Sequence, residues 1–131
     1  MVIQTYKGYS PGIRFYSSLS NNDLSKSKPE KSLTKGKVAC NGRNNRGITT
    51  LKGRGNCHKR KQRVIDYRRI KNTKSALVAS IEYDPNRNCR IALLHHDNGL
   101  KSYILCPLLL RTGMSVLYDK NAPLQVGNSM P

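Results

Sequence analysis

Acidic side chains are scarce in this sequence: Asp and Glu number 7 among 131 residues, against 24 Lys and Arg. The resulting formal charge of +17 opposes packing of the chain against itself and attracts polyanions. Few carboxylates are left for acid–base catalysis. We therefore expect a polyanionic partner and no enzyme activity.

Long apolar runs and a signal peptide are also absent. No stretch approaches the roughly 20 apolar residues of a membrane-spanning helix, and the start of the chain has no apolar segment with a small-residue cleavage site. No membrane partner is expected, and the four cysteines are interpreted as reduced thiols. A secreted, cationic, disulfide-bonded peptide stays open as an alternative, which alkylation of four free thiols in denaturant would remove.

Close cysteine pairs are missing too, although structural zinc sites usually draw ligands from Cys-x-x-Cys pairs. For catalysis, the adjacent Cys57 and His58 would need a third, orienting group, and adjacency in sequence shows neither that group nor the geometry. We expect no metal, no cofactor and no catalytic residue. The scattered side chains that carry ligand atoms are Cys40, Cys57, His58, Cys89, His95, His96 and Cys106.

The positive charge is concentrated in the first part of the chain. Residues 1–75 hold 19 Lys and Arg and 3 acidic residues, whereas residues 76–131 hold 5 and 4. The polar composition of residues 1–35 predicts disorder when the chain is alone in solution. Residues 36–63 interleave glycines with Arg and Lys, which predicts extended backbone shaped by a partner. The chain is thus expected to form a basic arm and a nearly neutral body.

The body shows strand patterns and no helical ones. Residues 77–83 alternate apolar and polar side chains and end at turn residues 84–86. No ten residues show sustained helical periodicity, so the predicted fold class is all-β, in the form of a small antiparallel barrel. The strand-like runs are 64–67, 77–83, 91–95, 102–106 and 115–118, with a tight hairpin turn at 97–99.

Three consecutive segments resemble signatures of the universal second protein of the large ribosomal subunit. They read Gly-Arg-Asn-Asn-Arg-Gly-Ile-Thr-Thr at 42–50, His-Lys-Arg at 58–60 and Arg-Val-Ile-Asp-Tyr-Arg-Arg at 63–69. Residues 81–87, 90–95 and 103–107 continue the similarity in the same order, and segments near both ends agree in part. The resemblance spans nearly the whole chain.

The resemblance implies a five-stranded OB-fold barrel preceded by an arm that threads between rRNA helices. It divides the chain into an extended basic rRNA-binding arm at 1–62, the barrel domain at 63–126 and the start of an interdomain linker at 127–131. The family continues into an SH3-like barrel, so we expect that half on a separate chain, as in a split organellar gene.

Two departures from the family pattern lie in the arm. The family's extra Arg before Ile48 is missing, so one phosphate contact is in question. Its Gly-Gly-Gly-His run is replaced by the longer and bulkier residues 53–58, so the path of that loop is in question as well.

The candidate RNA-binding residues combine cations with amides, because Arg forks onto phosphate oxygens, Lys acts as a point charge, and Asn both donates and accepts. A solvated charged face, a flexible linker and a merely structural turn at 85–87 are the alternatives. Tyr67, Tyr83 and Tyr103 could stack on bases, but their strand positions favour packing. The candidates are Arg43, Asn44, Asn45, Arg46, Lys52, Arg54, His58, Lys59, Arg60, Lys61, Arg63, Arg68, Arg69, Lys71, Asn86, Arg87 and Arg90.

Together these features favour a structural constituent of the large ribosomal subunit that binds and stabilises its rRNA and contributes to assembly and translation. The expected partners are large-subunit rRNA, neighbouring ribosomal proteins and the separate SH3-like chain. A free OB-fold RNA-binding or RNA-chaperone module is the alternative, distinguished by rapid exchange without ribosomal co-sedimentation. The mitochondrial ribosome is the expected location, with the chloroplast and the bacterial cytoplasm as alternatives.

Overall fold

The computed structural model describes residues 3–37, 39–55, 58–69 and 75–130. Within these ranges the only helical element is a 3₁₀ turn at Lys31–Leu33, so the predicted all-β class is confirmed. None of the described residues forms a helix long and apolar enough to cross a bilayer. The strands are β1 (Ile3–Thr5), β2 (Ser17–Leu19), β3 (Thr34–Gly36), β4 (Lys61–Arg63), β5 (Ser75–Glu82), β6 (Ile91–His96), β7 (Lys101–Leu105) and β8 (Ser115–Leu117).

The body of the protein is a four-stranded antiparallel sheet with the order β7-β6-β5-β8. Alternation along β5 buries Ala76 and Val78 and leaves Leu77 exposed. A register shift against β6 between Val78 and Ser80 interrupts that alternation, so that both Ile81 and Glu82 are buried. Because side chains alternate along β6, the sheet buries apolar residues on both faces. The smaller cluster consists of Ile91, Leu93 and Tyr103. The larger one consists of Ala76, Val78, Ile81, Ala92, Leu94, Ile104, Leu110 and Val116.

Two further segments lie against the edges of this sheet. Ile65 forms a parallel bridge with Tyr103 of β7, and Tyr118 forms one with Ser129 beyond β8. The strand-like run predicted at 64–67 is therefore a single bridge and not a regular strand. Among the described residues no ladder joins β7 to β8, and closure of the barrel stays a prediction.

The predicted strands of the body agree with β5 to β8 to within two residues at each end. The hairpin turn between β6 and β7 is also confirmed: Gly99 has φ +78°, and Asn98 Oδ1 accepts from the N–H of Leu100 at 3.0 Å. The pairs β1–β2 and β3–β4 were not predicted. Their strands are three residues long and mostly polar, so they carry no apolar alternation.

Part of the arm is compact, which corrects the expectation of extended backbone over residues 36–63. Gly42 has φ +72°, and its carbonyl accepts from the N–H groups of Thr50 and Leu51 at 2.9 and 3.2 Å. Asn44 Oδ1 accepts from the N–H groups of Arg46 and Ile48, both at 3.0 Å. A left-handed glycine and an asparagine acceptor thus close a loop over residues 42–51, here called the arm loop, without a partner.

Residues 3–35 contact the body at several points, and their disorder in the free chain stays a prediction. Leu24 packs against the core cluster, and the N–H of Ser25 donates to the carbonyl of Ile81 at 2.9 Å. Arg90 Nη2 donates to the carbonyl of Ser20 at 2.7 Å. These contacts join positions far apart in the chain, which composition cannot reveal. The domain boundary at residue 62 stays a prediction, and β3–β4 pairing extends across it.

Candidate nucleic-acid interface

The turn that follows β5 is built around the buried carboxylate of Asp84. Asp84 is 0% exposed. Its Oδ1 accepts from the backbone N–H and the Nδ2 of Asn86 at 3.0 and 3.1 Å, and its Oδ2 accepts from Arg87 Nε at 2.8 Å. A buried carboxylate requires such donors, because an unpaired buried charge is strongly destabilising. Asp84 therefore fixes both the backbone of the turn and the direction of the Arg87 side chain.

This turn is joined to the start of the basic strand β4 and to the residue before it by two hydrogen bonds. Asn86 Nδ2 donates to the carbonyl of Lys61 at 2.8 Å, and Arg60 Nη1 donates to the carbonyl of Pro85 at 3.0 Å. Strand β4 is held on its other side by β3, in a register that pairs Gly36 with Lys61. Segments from three distant parts of the sequence are thus brought together.

A cleft of about 650 Å³ lies between these three segments. Four of its lining residues carry a formal positive charge and none is acidic. Small-molecule pockets are lined mainly by apolar side chains, whereas this one concentrates Arg and Lys in a form that suits phosphate groups. We call it the basic cleft; it is lined by Lys37, Gly55, His58, Lys59, Arg60, Gln62, Asn86 and Arg87.

One exposed tyrosine contacts Arg87, and a second precedes Asp84 in the chain. Arg87 Nη1 donates to the hydroxyl of Tyr67 at 2.9 Å. This bond, together with the one to Asp84, raises the pKa of the Arg87 guanidinium, so its charge is secure. Tyr67 is 69% exposed and Tyr83, next to Asp84, is 56% exposed, so the expectation that they pack was wrong, whereas Tyr103 is fully buried as expected.

The arm loop presents a second group of predicted residues. Arg43, Asn45 and Arg46 are exposed, as are Lys52 and Arg54 just after the loop. Arg43 Nη1 donates to the carbonyl of Gly47 at 3.3 Å. The Asn44 oxygen is occupied by the loop's own backbone, which leaves its amide group as the donor it can offer to RNA.

Other predicted residues make contacts within the protein. The Arg69 Nη1 donates to the carbonyl of Gly127 at 2.7 Å and to Ser129 Oγ at 3.0 Å, and burial lowers the pKa of this guanidinium. Arg90 bonds Ser20 and lies 3.7 Å from the Asp23 carboxylate. The structure thus places Arg69 and Arg90 away from the basic cleft.

Three predicted positions complete the set. Arg63 Nη1 donates to the carbonyl of Lys61 at 2.8 Å, so its guanidinium bonds back onto β4. The backbone N–H of Arg68 donates to Asp66 Oδ1 at 3.2 Å, and its side chain is exposed. Lys71 lies outside the described residues.

The root of the arm is fastened at Tyr103. Its hydroxyl donates to Glu82 Oε2 at 2.8 Å and accepts from the N–H of Glu30 at 3.0 Å, while its carbonyl accepts from the N–H of Asp66 at 2.8 Å. Burial raises the pKa of Tyr103 to about 12, so the hydroxyl keeps its proton. Glu30 also pairs with Lys101 at 2.7 Å, and this hydrogen bond lowers its carboxyl pKa. Residues 30 and 66, which flank the basic segment 36–63, therefore both bond to Tyr103 of β7.

Thiols and imidazoles do not gather into a metal site in the part of the chain that the structure describes. Cys40, Cys89 and Cys106 are free thiols, and Cys57 falls outside the described residues. His96 is buried with Nε2 at 2.8 Å from Ser102 Oγ, and desolvation lowers its pKa. This imidazole is therefore held neutral inside the body, while His58 lines the basic cleft.

Sequence reasoning found five residues of the basic cleft, His58, Lys59, Arg60, Asn86 and Arg87, and missed three, Lys37, Gly55 and Gln62. Lys37 had no signal beyond its charge, because only the pairing of β3 with β4 brings it to the cleft. A comparison with protein-family models matches residues 30–118 to the model described as Ribosomal Proteins L2, RNA binding N-terminal domain. The match covers more than half of the chain and includes β3 to β8 and both faces of the cleft.

Proposed function

We propose the following function for this chain, which belongs to the ribosomal protein L2 family: it fixes neighbouring segments of large-subunit rRNA and so contributes to subunit assembly and translation. Family membership makes it a ribosomal RNA-binding protein of the large subunit, in a family of structural RNA-binding proteins. The observation that carries the finer proposal is the basic cleft, where a buried carboxylate fixes Arg87 in a lining shared with Lys59 and Arg60, the cations that immediately precede β4.

The geometry supports phosphate binding in the cleft better than reading of base sequence. The side chains of Arg60 and Asn86 donate to backbone carbonyls and so hold the turn and residues 60–61 in one arrangement. Lys37 and Lys59 supply compact ammonium groups and Arg60 a forked guanidinium. Contacts of this kind position a protein on RNA and respond to the shape of the RNA backbone. Because Arg60 and Arg87 are held before RNA arrives, less conformational entropy is lost on binding.

Salt-dependent binding tests this role. Each phosphate that the protein neutralises adds roughly 0.7 to 0.9 to the slope of log affinity against log salt. We expect Arg60→Gln and Arg87→Gln each to lower that slope by nearly one for a large-subunit rRNA fragment. Arg111→Gln removes an exposed cation that does not line the cleft and serves as the matched control. Equal slopes for all three variants would refute the cleft as a phosphate site.

Sedimentation separates a built-in ribosomal protein from a free RNA-binding module. A native lysate would be fractionated at stepwise salt, and each fraction would be assayed for this chain by mass spectrometry. Retention with the large subunit through high salt supports the proposal. Release into light fractions at modest salt favours the exchanging module and overturns the structural role.

The separate chain with the SH3-like half and the mitochondrial location remain predictions. Purified large subunits from mitochondria and from chloroplasts, analysed by mass spectrometry, would test both together. This chain and a complementary SH3-like polypeptide should appear in the same mitochondrial particle. Their appearance in the chloroplast particle would overturn the location, and finding both halves on one polypeptide would overturn the split.

A further inference from the structure

A short N-terminal hairpin precedes the region that matches the family. Strands β1 and β2 pair antiparallel, with Ile3 opposite Leu19 and Thr5 opposite Ser17. The eleven residues that connect them, 6–16, are held by hydrogen bonds such as that from the N–H of Tyr16 to the carbonyl of Ile13, at 2.9 Å. None of the candidate RNA-binding residues predicted from the sequence lies in this segment, residues 3–19, here called the aromatic hairpin.

Aromatic rings crowd the aromatic hairpin and face outward. Phe15 is the single phenylalanine of the chain and is 94% exposed. Its backbone has φ +64°, in the left-handed region that a bulky L residue rarely adopts. Tyr9 is 82% exposed, and the rings of Tyr6 and Tyr16 lie against each other with centroids 5.2 Å apart. Core packing does not account for Phe15 or Tyr9, because neither ring is covered.

Each of the two most exposed rings has a cation beside it. The Lys7 ammonium lies 5.5 Å from the ring centroid of Tyr9, and the Arg14 guanidinium lies 5.7 Å from that of Phe15. No acidic residue occurs between positions 3 and 19. Arg14 and Phe15 also line one shallow depression together with Tyr6 and Tyr16. Stacking surfaces and positive charge therefore occur side by side.

We propose that the aromatic hairpin binds an unpaired stretch of RNA by stacking bases on Phe15 and Tyr9 while Arg14 and Lys7 face the adjoining phosphates. The proposal rests on the function proposed above and names the class of RNA that this second site takes. Unpaired bases offer faces that a duplex hides, and aromatic side chains beside a cationic groove bind single strands with little sequence preference. A contact with another protein would not require a cation at each exposed ring.

A tryptophan reporter tests the stacking directly, because the chain contains no tryptophan of its own. Phe15→Trp places the reporter at the proposed site. Leu124→Trp is the matched control, because Leu124 is also 94% exposed and lies outside the aromatic hairpin. We expect single-stranded oligouridylate to quench Phe15→Trp saturably, with a much weaker effect from a duplex of equal length. Leu124→Trp should respond to neither, and equal quenching of both reporters would overturn the proposal.

Two substitutions separate stacking from charge. Phe15→Leu should weaken binding of the single strand by up to the range measured per stacked base, roughly 5- to 150-fold, and leave duplex binding unchanged. Arg14→Gln should weaken both. An unchanged single-strand affinity in Phe15→Leu would sink the proposal, as would RNA-free dimerisation of the full chain that Phe15→Leu abolishes.

Failure here is distinguishable from failure of the proposed function. If the chain binds large-subunit rRNA with the expected dependence on Arg87 but Phe15→Trp stays silent, only the aromatic hairpin site is wrong. If neither the rRNA fragment nor the single strand binds, the proposed function itself fails.

Discussion

The substitution Asp84→Asn separates positioning from simple charge attraction. Asp84 is an acid beneath a cationic cleft, so its removal adds one positive charge and, by long-range electrostatics alone, should strengthen RNA binding. The structure predicts the opposite. Asparagine keeps one oxygen for Asn86 but turns an amide donor toward Arg87 Nε, which is itself a donor. Arg87 should then lose its fixed direction.

The magnitudes follow from these contacts. A hydrogen bond to a charged group contributes about 1.5 to 3 kcal/mol, and the Arg87 side chain is 26% exposed, so water recovers part of that. We expect the free energy of unfolding to fall by about 2 kcal/mol. Each phosphate that the protein neutralises multiplies the RNA affinity by roughly the molar salt concentration raised to the power −0.9. Loss of the Arg87 contact should therefore weaken RNA binding roughly 5-fold near 0.15 M salt.

Urea unfolding and RNA titrations at several salt concentrations measure both quantities on the same protein. Asp23→Asn is the matched control, because its carboxylate is 71% exposed and lies beside Arg90, not in the basic cleft. That variant should bind RNA as tightly as the parent or slightly more tightly. If Asp84→Asn behaves like Asp23→Asn, with normal stability and undiminished affinity, the positioning argument is wrong.

Three further substitutions test other parts of the structure. Tyr103→Phe should cost about 2 kcal/mol at neutral pH. Because the folded-state pKa of Tyr103, about 12, exceeds its ordinary value of 10.0, the parent alone should lose up to about 3 kcal/mol as pH rises from 10 to 12. Gly42→Ala should disrupt the arm loop, because a Cβ would lie 2.3 Å from a backbone oxygen, whereas Gly53→Ala, at the same φ of +72° but in open space, should cost only about 1 kcal/mol. Desolvation lowers the pKa of His96 in the folded protein, so below about pH 6.5 the unfolded chain binds a proton at this position more readily than the folded protein does. The parent should therefore lose stability at acid pH, whereas His96→Gln should not. His95→Gln, at an exposed position, is the control.

Urea titrations across pH measure the tyrosine and histidine effects, and amide exchange measures the glycine effect. If the difference in the free energy of unfolding between the parent and Tyr103→Phe stays constant as pH rises from 10 to 12, the raised pKa of a buried Tyr103 hydroxyl is refuted. Equal exchange in the arm loop for both alanine variants would remove the steric argument at Gly42. If the free energy of unfolding of His96→Gln and of His95→Gln falls equally as the pH is lowered, the burial of His96 is contradicted.

The sequence predicted most of the body and part of the cleft, for different reasons. Strands such as β5 and β6 follow from local alternation and turn residues, which need no knowledge of distant partners. The cations of the cleft were visible as a basic run, but Lys37 was not, because its place depends on pairing between β3 and β4. Arg69 and Arg90 carried the same charge signal and bond carbonyls 58 and 70 residues away. Charge is a local property of the sequence, whereas the partner of a charge is a property of the fold.

Pairing of β3 with β4 also makes residues 37–60 a closed loop with clamped ends. Gly36 lies opposite Lys61, and the N–H groups of Glu30 and Asp66 both bond Tyr103. Closing a flexible loop costs conformational entropy that grows slowly with loop length. Because β3–β4 pairing already joins the two ends of this loop in the free protein, RNA binding does not have to offset that cost. Once RNA occupies the basic cleft, the arm loop is confined to a small volume around it. If the arm loop also binds RNA, its contact would be an intramolecular step at high effective concentration, and binding at either basic site would favour binding at the other.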